Sequence, residues 1–290
     1  MTETPLYFQN GPFRLFGVLH EGILQRPGIG KKSAQLALVF CHPFAEEKLI
    51  SHRIMVNLAR RLASEEITCL RFDYMGHGDS DGKFEDSTVE TRLSDIRSAV
   101  QFLKSRVPQE EVGLVGVRFG STLAAMAAER MGGIGRFVAV SPIVNGKTYM
   151  EQCLRSNLTT QMALYKKVVK DREALVRELM AGGMVNIDGY LITKALYEQM
   201  VSIDLLSSSG PIARKALIVQ ISRRDNEQID KGIAALQSKW AELSGNTELV
   251  SVRENHFWQD QKIYQTKAEN LEAKVLKWLG LESMKAADEA

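Results

Sequence analysis

The chain has 290 residues, of which 37 are Lys or Arg and 35 are Asp or Glu, giving a formal net charge of +2. The two signs are interspersed, so no strongly charged region favours nucleic acid or an anionic membrane as a partner. Hydrophobic residues make up 44% and charged residues 25%, which is ordinary for globular proteins, and no apolar run approaches the ~18 residues that a membrane span needs. We therefore predict one large α/β domain or two domains, with no membrane insertion, and leave open whether the chain forms a homo-oligomer.

The cysteine pattern and the first residues bear on the compartment. Cys41, Cys69 and Cys153 are too few and too scattered for a disulfide framework or a zinc knuckle. Residues 1–5 have neither the basic nor the apolar region of a signal peptide. These features predict a reducing, cytoplasmic location, and no His, Cys or Asp spacing suggests a metal or another cofactor.

Short apolar runs alternate with helical periods along the chain, which is the pattern of βα units on a mostly parallel sheet. Residues 6–9 and 13–20 flank the turn signal Asn10-Gly11-Pro12 and predict an antiparallel hairpin at one sheet edge. Further strands are predicted at 36–41, 67–72, 112–115, 137–140, 216–221 and 247–252.

Helices are predicted between these strands. Ile54, Leu58 and Leu62 recur at a spacing of four, which gives residues 53–64 one buried face, and a second apolar period over 229–243 ends near a glycine at 245. Two capping boxes are predicted, Ser87 with Glu90 for a helix reaching about residue 105, and Thr266 with Glu269 for the last helix.

About 70 residues separate the predicted strands at 137–140 and 216–221, which is too long for a simple crossover. Helical periods fill this stretch at 147–167, 170–180 and 193–206. We predict a hydrolase-like core over 1–141 and 211–282, a helical lid over 142–210 and a frayed tail over 283–290. The apolar residues of the lid either form a small core or line a wall above a pocket.

The strongest local signal is Gly116-Val-Arg118-Phe119-Gly120, which follows a predicted strand and precedes a helix. A strand, G-x-X-x-G and a helix make up a nucleophile elbow, in which flanking glycines allow a sharp turn that presents residue X above the sheet. Here X is Arg118. Paired glycines also occur at ordinary strand-to-helix turns.

Two other loops follow predicted strands. His42-Pro43-Phe44 comes after the first central strand, where a backbone N–H could join that of Phe119 in an oxyanion hole. Residues 73–80 form a Gly-rich turn, and we predict that Asp73, His77 and Ser80 shape this loop, the last two through hydrogen bonds to the backbone.

An acid and a histidine follow the last two strands. Asp225 comes after the strand at 216–221 and His256 after the strand at 247–252, so position 118, Asp225 and His256 stand in the chain order of an α/β-hydrolase triad. His256 is a candidate general base and Asp225 its orienter. Alternatively, backbone partners satisfy His256, and Asp225 pairs with Arg223 or Arg224.

The segments HPFAEEK, RFDYMGHGDS and GVRFG resemble those of the α/β-hydrolase superfamily, most closely the exosortase A system-associated hydrolases and their serine-aminopeptidase-like relatives. The resemblance covers essentially the whole chain. It implies an α/β-hydrolase fold, with a mostly parallel central sheet, helices on both faces and a helical lid insertion. The family's elbow serine matches Arg118, and arginine has no hydroxyl with which to attack a carbonyl.

Arg118 requires a compensating anion, because a cation at a helix N-terminus opposes the helix dipole by about 0.3 to 1 kcal/mol. An internal carboxylate is one possibility, and a ligand carboxylate or phosphate is the other. Both can hold in turn if the ligand displaces the internal partner. The internal candidates are Glu46, Glu47, Asp73 and Asp225.

Other candidate nucleophiles rank low. Ser121 is expected to point into helix packing, and Cys41 at a strand end is expected to be a buried thiol. His52 is expected at the surface or at a helix cap.

Two functions are the main alternatives from the sequence, and other enzyme chemistry, such as a lyase or a cofactor-free reaction, is the remaining one. The first is a hydrolase of a small ester, thioester or amide, with His256 and Asp225 as base and orienter, Arg118 binding an anionic substrate group, and water or an unrecognised residue as nucleophile. The second is a non-catalytic α/β-hydrolase-fold protein that binds an anionic ligand or acts as a scaffold.

Overall fold

The computed structural model describes residues 1–22, 36–107, 111–225, 227–259 and 265–281. The strands are β1 Thr2–Asn10, β2 Phe13–Glu21, β3 Leu36–Cys41, β4 Thr68–Phe72, β5 Glu111–Val117, β6 Arg136–Val140, β7 Val185–Ile187, β8 Tyr190–Ile192, β9 Lys215–Ser222 and β10 Thr247–Arg253. The helices are α1 Glu46–Ser64, α2 Val89–Arg106, α3 Phe119–Met131, α4 Gly146–Tyr165, α5 Arg172–Met180, α6 Lys194–Val201, α7 Lys231–Ser244 and α8 Glu269–Trp278.

One sheet of eight strands organises the described residues, in the order β1-β2-β4-β3-β5-β6-β9-β10. The β1–β2 hairpin is antiparallel and joins β4 in antiparallel register, while the pairs from β4 to β10 are parallel. The predicted hairpin and mostly parallel sheet are therefore confirmed. Because parallel strands share one carboxyl edge, the loops after β3, β5, β9 and β10 meet at one side of the sheet.

Helices cover both faces of the sheet, as predicted. One apolar layer lies between the sheet and α1 with α8, and includes Phe40, Leu58 and Val275. The other lies between the sheet and α2, α3 and α7, and includes Leu114 and Trp240. Strand side chains alternate between the two layers, so the central strands are apolar along their whole length.

The starts of α1 and α2 differ from the prediction. Helix α1 begins at Glu46 rather than at residue 53, so its first turn carries Glu46 and Glu47, where the helix dipole favours acids. Helix α2 is capped by Thr88, whose hydroxyl accepts from the N–H of Thr91 while the Thr91 hydroxyl accepts from the N–H of Thr88. The predicted box of Ser87 with Glu90 was wrong, because Thr88 takes the extended backbone that an N-cap needs.

The last helix lacks the predicted cap. Its N-cap is Ala268, which makes no side-chain cap, so the box of Thr266 with Glu269 was wrong. A distant residue serves instead, since Glu254 Oε1 accepts from the backbone N–H of Asn270 at 2.8 Å. Helix α7 ends as predicted, with Gly245 in the left-handed conformation.

The segment between β6 and β9 contains α4, α5 and α6, which match the three helical periods. It is not wholly helical, because the antiparallel pair β7–β8 lies between α5 and α6. These strands have three residues each, too short for an alternating pattern to stand out in the sequence. The predicted tail 283–290 and position 282 lie outside the described residues.

Within the described ranges, no helix combines the length and apolar character that crossing a membrane requires.

Candidate active site

The turn between β5 and α3 has the geometry of a nucleophile elbow. Arg118 stands at its apex with φ 54° and ψ −126°, a backbone region that side chains other than glycine rarely adopt. Glycines on either side permit it, because a Cβ at Gly116 would lie 2.4 Å from Ser121 Cα and one at Gly120 would lie 2.2 Å from the Cys41 carbonyl oxygen. The turn therefore presents an arginine where its shape would suit a short nucleophile.

The Arg118 guanidinium is held by one carboxylate and two aromatic rings. Its Nε and Nη2 lie 3.3 and 3.4 Å from Glu47 Oε1. Its central carbon lies 4.9 Å from the ring centroid of Trp258 and 5.8 Å from that of Tyr149. Of the four predicted carboxylate partners, Glu47 is the one that contacts Arg118, and the rings add cation–π attraction.

The carboxylate of Glu47 is only partly satisfied by its contacts. Its side chain is 20% exposed, and burial raises the pKa of its carboxyl while Arg118 and a hydrogen bond with the Tyr149 hydroxyl act in the opposite direction. Its second oxygen, Oε2, is buried without a hydrogen-bond partner among the described residues. The long contacts to Arg118 thus leave this carboxylate only partly satisfied.

The loop after β3 packs directly on the elbow. Its carbonyl groups lie against Gly120, and the Phe44 ring lies 5.7 Å from the Phe119 ring. His42 and Pro43 are buried, and His42 Nδ1 lies 2.8 Å from the Pro43 carbonyl oxygen. Burial lowers the pKa of His42 well below its usual value, so its ring is neutral near pH 7. The oxyanion-hole role of this loop stays a prediction.

The Gly-rich turn after β4 is held by side-chain contacts. Ser80 Oγ donates to the Asp73 carbonyl oxygen at 2.6 Å and accepts from the Phe16 N–H at 2.8 Å. The Asp73 carboxylate lies 2.5 Å from Lys48 Nζ, and the buried His77 places Nδ1 3.3 Å from the Met75 carbonyl oxygen. The role of Asp73, His77 and Ser80 in shaping the loop stays a prediction.

His256 lies beside Arg118, and Asp225 makes a different contact. The His256 ring stacks on Trp258 with centroids 5.0 Å apart and an angle of 11°. Burial, followed by Arg223 and Arg118, lowers the pKa of His256, so its imidazole is neutral near pH 7. Asp225 is exposed, and its Oδ2 lies 2.7 Å from Arg253 Nη1. Its role as orienter of His256 therefore stays a prediction, with an ion pair to Arg253 that the sequence did not suggest.

Two clefts meet at Arg118. One has a volume of about 620 Å³ and contains His256 with Asn145, Gln220 and Asp230 in its wall. The other has a volume of about 710 Å³ and contains Glu47 in its wall. Arg118, Tyr149, Gln152 and Trp258 line both clefts.

Tyr149 and Gln152 were missed in the sequence. Both lie in the first two turns of α4, whose N-cap Asn145 accepts from the Thr148 N–H. The asparagine that opens this helix was the available signal, since an N-cap residue marks the start of a helix and this one follows shortly after the end of β6.

The lower-ranked nucleophiles lie away from the clefts. Ser121 is fully buried, and its Oγ donates to the Val140 carbonyl oxygen at 3.3 Å. Burial raises the pKa of the Cys41 thiol to about 12, so no thiolate forms near neutral pH. His52 lies exposed within α1. In the part of the chain that is described, no group of three or more His, Cys, Asp or Glu side chains is placed to hold a metal ion.

The strand order, the elbow and the loops at the carboxyl edge define an α/β-hydrolase fold. Residues 32–207, more than half of the chain, match the family model described as serine aminopeptidase, S33, and the chain belongs to that family.

Solved structures similar to this chain include two esterases. The Pyrococcus furiosus esterase Pf2001 is 18% identical with a TM-score of 0.62, over 96% of this chain and 90% of that one. Est1E of Butyrivibrio proteoclasticus with bound ferulic acid is 19% identical with a TM-score of 0.63, over 94% and 97%. The α/β-hydrolase GrgF of a Penicillium species is 17% identical with a TM-score of 0.60, over 96% and 98%. At these identities the likeness concerns the fold.

A curated relative extends over part of the chain only. An uncharacterized protein of Rickettsia prowazekii is 31% identical over 115 residues, which is 39% of this chain and 47% of the relative. The match thus spans about half the length of that relative.

Proposed function

We propose that this chain binds a small anionic molecule, a carboxylate or a phosphate, against Arg118, and that it forms no acyl-enzyme. The observation that carries the proposal is the position of the Arg118 guanidinium, which stands at the elbow apex and lines both clefts. An arginine fork binds carboxylate or phosphate oxygens through two parallel hydrogen bonds.

The internal partner is one that a ligand can displace. Glu47 contacts Arg118 through a single oxygen at 3.3 and 3.4 Å, longer than a strong charge-assisted hydrogen bond. A bidentate ligand at 2.7–2.9 Å would satisfy the fork better. The N-terminus of α3, which begins at Phe119, adds backbone N–H groups and the positive end of the helix dipole to the same place.

The elbow apex offers no nucleophile for acyl-enzyme chemistry, because arginine has no hydroxyl. Ser121 Oγ is buried against the Val140 carbonyl, and Cys41 is a buried thiol. Cys153 lines the 710 Å³ cleft, but burial raises the pKa of its thiol to about 12, so it is not activated. We accordingly expect no labelling by a fluorophosphonate probe, which modifies activated serines. Stoichiometric labelling, located by peptide mass spectrometry, would contradict the proposal.

The direct test is anion-dependent thermal stability at constant ionic strength. Phosphate, sulfate and acetate should raise the Tm of the wild type, because a bound ligand stabilises by RT ln(1 + [L]/Kd), about 2.7 kcal/mol at one hundred times Kd. Arg118→Ala should abolish the shift. Arg130→Ala is the matched control, because Arg130 is a second arginine of the α3 region that pairs with a glutamate, Glu90, away from the clefts. Equal shifts in all three proteins would overturn the proposal.

Hydrolysis by water is the second candidate, and the observation that favours it is the neutral His256 in the 620 Å³ cleft. In this reaction His256 takes a proton from water as the oxygen attacks an ester, thioester or amide carbonyl, and returns it to the leaving group. Turnover of small esters carrying a carboxylate should then fall at least about 100-fold in His256→Gln. Unchanged turnover in that variant would exclude this candidate and leave the binding proposal standing.

A reducing, cytoplasmic compartment fits the same proposal. Among the described residues, Cys41, Cys69 and Cys153 form no disulfide, and the side chains of Cys41 and Cys69 are buried. Titration of three thiols in the unfolded, unreduced protein isolated from cells would support it, and a recovered disulfide would contradict it.

A further inference from the structure

The end of α4 and the turn after it form an unusual surface, here called the α4 tip and defined as residues 162–170. All nine residues, Met-Ala-Leu-Tyr-Lys-Lys-Val-Val-Lys, are exposed. Five are large and apolar, namely Met162, Leu164, Tyr165, Val168 and Val169, with exposures from 45% to 67%. Contiguous apolar side chains at this exposure mark an interaction surface, whereas single exposed ones are ordinary.

Specific contacts hold the tip in this form. The side chain of Gln161 is buried, and its Oε1 accepts from the N–H groups of Val169 and Lys170 at 2.7 and 2.9 Å. Its Nε2 donates to the Lys170 carbonyl oxygen at 2.9 Å. Lys166 ends the helix in the left-handed conformation, with φ 58°. A buried glutamine thus fastens the turn from inside and leaves its apolar side chains outside.

The charge of the tip indicates which kind of partner surface it suits. Lys166, Lys167 and Lys170 lie among the apolar side chains, and residues 162–170 contain no acid. Lys170 pairs with Glu178 at 2.7 Å. For Lys166 and Lys167, the described part of the chain provides no ion pair. Apolar side chains flanked by unpaired lysines suit an interface that is apolar within and anionic at its surface.

We propose that the α4 tip docks this protein on the surface of an anionic phospholipid bilayer. The charge distribution of the whole chain gave no reason to expect such a partner, because it averages over this one segment, in which three lysines and no acid lie among exposed apolar side chains. Leu164, Tyr165 and Val169 enter the boundary between headgroups and acyl chains, and Lys166 and Lys167 contact the anionic headgroups. Tyr165 suits that depth because its ring is apolar and its hydroxyl stays in the polar layer. The chain lies on the membrane without crossing it.

Docking would also orient the clefts. Cys153 lines the 710 Å³ cleft from the same helix that carries Leu164. At a rise of 1.5 Å per residue the two lie about 16 Å apart along α4. The mouth of the cleft would therefore stand near the membrane surface while remaining in water.

Co-sedimentation of the full chain with vesicles tests the proposal. We expect binding to phosphatidylcholine vesicles that contain 25% phosphatidylglycerol, weaker binding to pure phosphatidylcholine, and a decline with added salt. Leu164→Ser and the double variant Lys166→Gln/Lys167→Gln should each lower the partition coefficient by about tenfold.

Matched variants separate the tip from general effects. Leu49→Ser alters a leucine of similar exposure, 56%, on α1, and Lys104→Gln/Lys277→Gln removes the same charge from α2 and α8. Both controls should bind as the wild type does. The proposal is overturned if the protein binds neither kind of vesicle, or if the tip and control variants lose the same amount of binding. It is also overturned if the protein forms a concentration-dependent dimer that Leu164→Ser dissociates, since the tip would then contact a second copy.

Discussion

The turns after β5 and β9 lie at the same edge of one sheet, yet the first is tightly packed and the second is exposed to solvent. The elbow after β5 holds Arg118 in a strained conformation between two glycines that have no room for a side chain. The turn after β9 carries Asp225 in solvent, paired with Arg253. The structure thus keeps the shape that presents residue 118, while the acid at the second turn pairs with Arg253 and is not among the residues that line the two clefts.

The difference separates two requirements of a catalytic side chain. The backbone must present the side chain, and neighbouring groups must activate it. Backbone packing presents a side chain whatever its identity, because the close contacts at Gly116 and Gly120 involve main-chain atoms. Activation needs a particular hydrogen-bonded acid and base. In this chain the backbone geometry that presents residue 118 is intact, while activation by an acid and a base stays a prediction.

The largest expected effect is at Gly120. Gly120→Ala should lower the free energy of unfolding by about 3 kcal/mol or more, because the new Cβ would meet the carbonyl oxygens of Cys41 and His42 at 2.2 and 2.4 Å. Urea denaturation measures the loss. Gly133→Ala is the control, since Gly133 has φ 70° and no neighbour within 4 Å, so only backbone strain of about 1 kcal/mol applies. Equal losses would show that the elbow is less tightly packed than the structure indicates.

A smaller loss is expected from Arg118→Ala. Removing one partner of a buried ion pair costs about 3 to 5 kcal/mol, and partial exposure of these side chains, 16% and 20%, reduces the expectation to about 1 to 3 kcal/mol. Glu47 is then left without its cation. The double variant Arg118→Ala/Glu47→Gln should recover most of the loss, and failure to recover would mean that Arg118 stabilises through its aromatic contacts instead.

The same variant has a pH signature. Burial already raises the pKa of Glu47, so the folded state binds more protons than the unfolded state between the usual value of 4.5 and the raised one. The contribution of Glu47 to the free energy of unfolding therefore falls as the pH rises through that window. Loss of Arg118 widens the window upward, so the destabilisation by Arg118→Ala should shrink in acid, as measured by denaturation at several pH values.

His256 should titrate at a different pH from His42 and His77. Burial lowers the pKa values of His42 and His77 well below 6.5, and lowers that of His256 as well. Because the folded state then binds fewer protons, these groups favour the unfolded state as pH falls below about 6.5. NMR should show His256 titrating below 6.5 while His42 and His77 stay neutral as long as the protein is folded. A midpoint for His42 above 6.5 would contradict its burial as neutral imidazole.

The smallest effect is expected from Asp225→Asn. An exposed ion pair such as Asp225 with Arg253 contributes up to about 1 kcal/mol, so we expect a loss below about 0.5 kcal/mol. The pKa of His256 should stay unchanged in the same NMR titration. A clear fall in that pKa would show that Asp225 reaches His256 in solution, and would support the predicted orienter role.

The sheet could be predicted because its signals are local. Apolar runs such as Leu36–Cys41 and a turn such as Asn10-Gly11-Pro12 have one good solution each, and both were confirmed. Helix starts were predicted less well, since caps depend on which neighbouring residue takes an extended backbone. For α8 the partner is Glu254, which lies outside the helix.

By itself, the sequence determined the chain order of the eight main-sheet strands and of the helices, the glycines of the elbow and the arginine at its apex. These follow from periodicity and steric limits that act over a few residues. The tertiary structure decided which of four carboxylates meets Arg118, that Trp258 and Tyr149 enclose its guanidinium, and that Asp225 pairs with Arg253. Such partners come from distant parts of the chain, and ion pairs and cation–π contacts act over only a few ångströms, so side-chain direction in the folded state determines them.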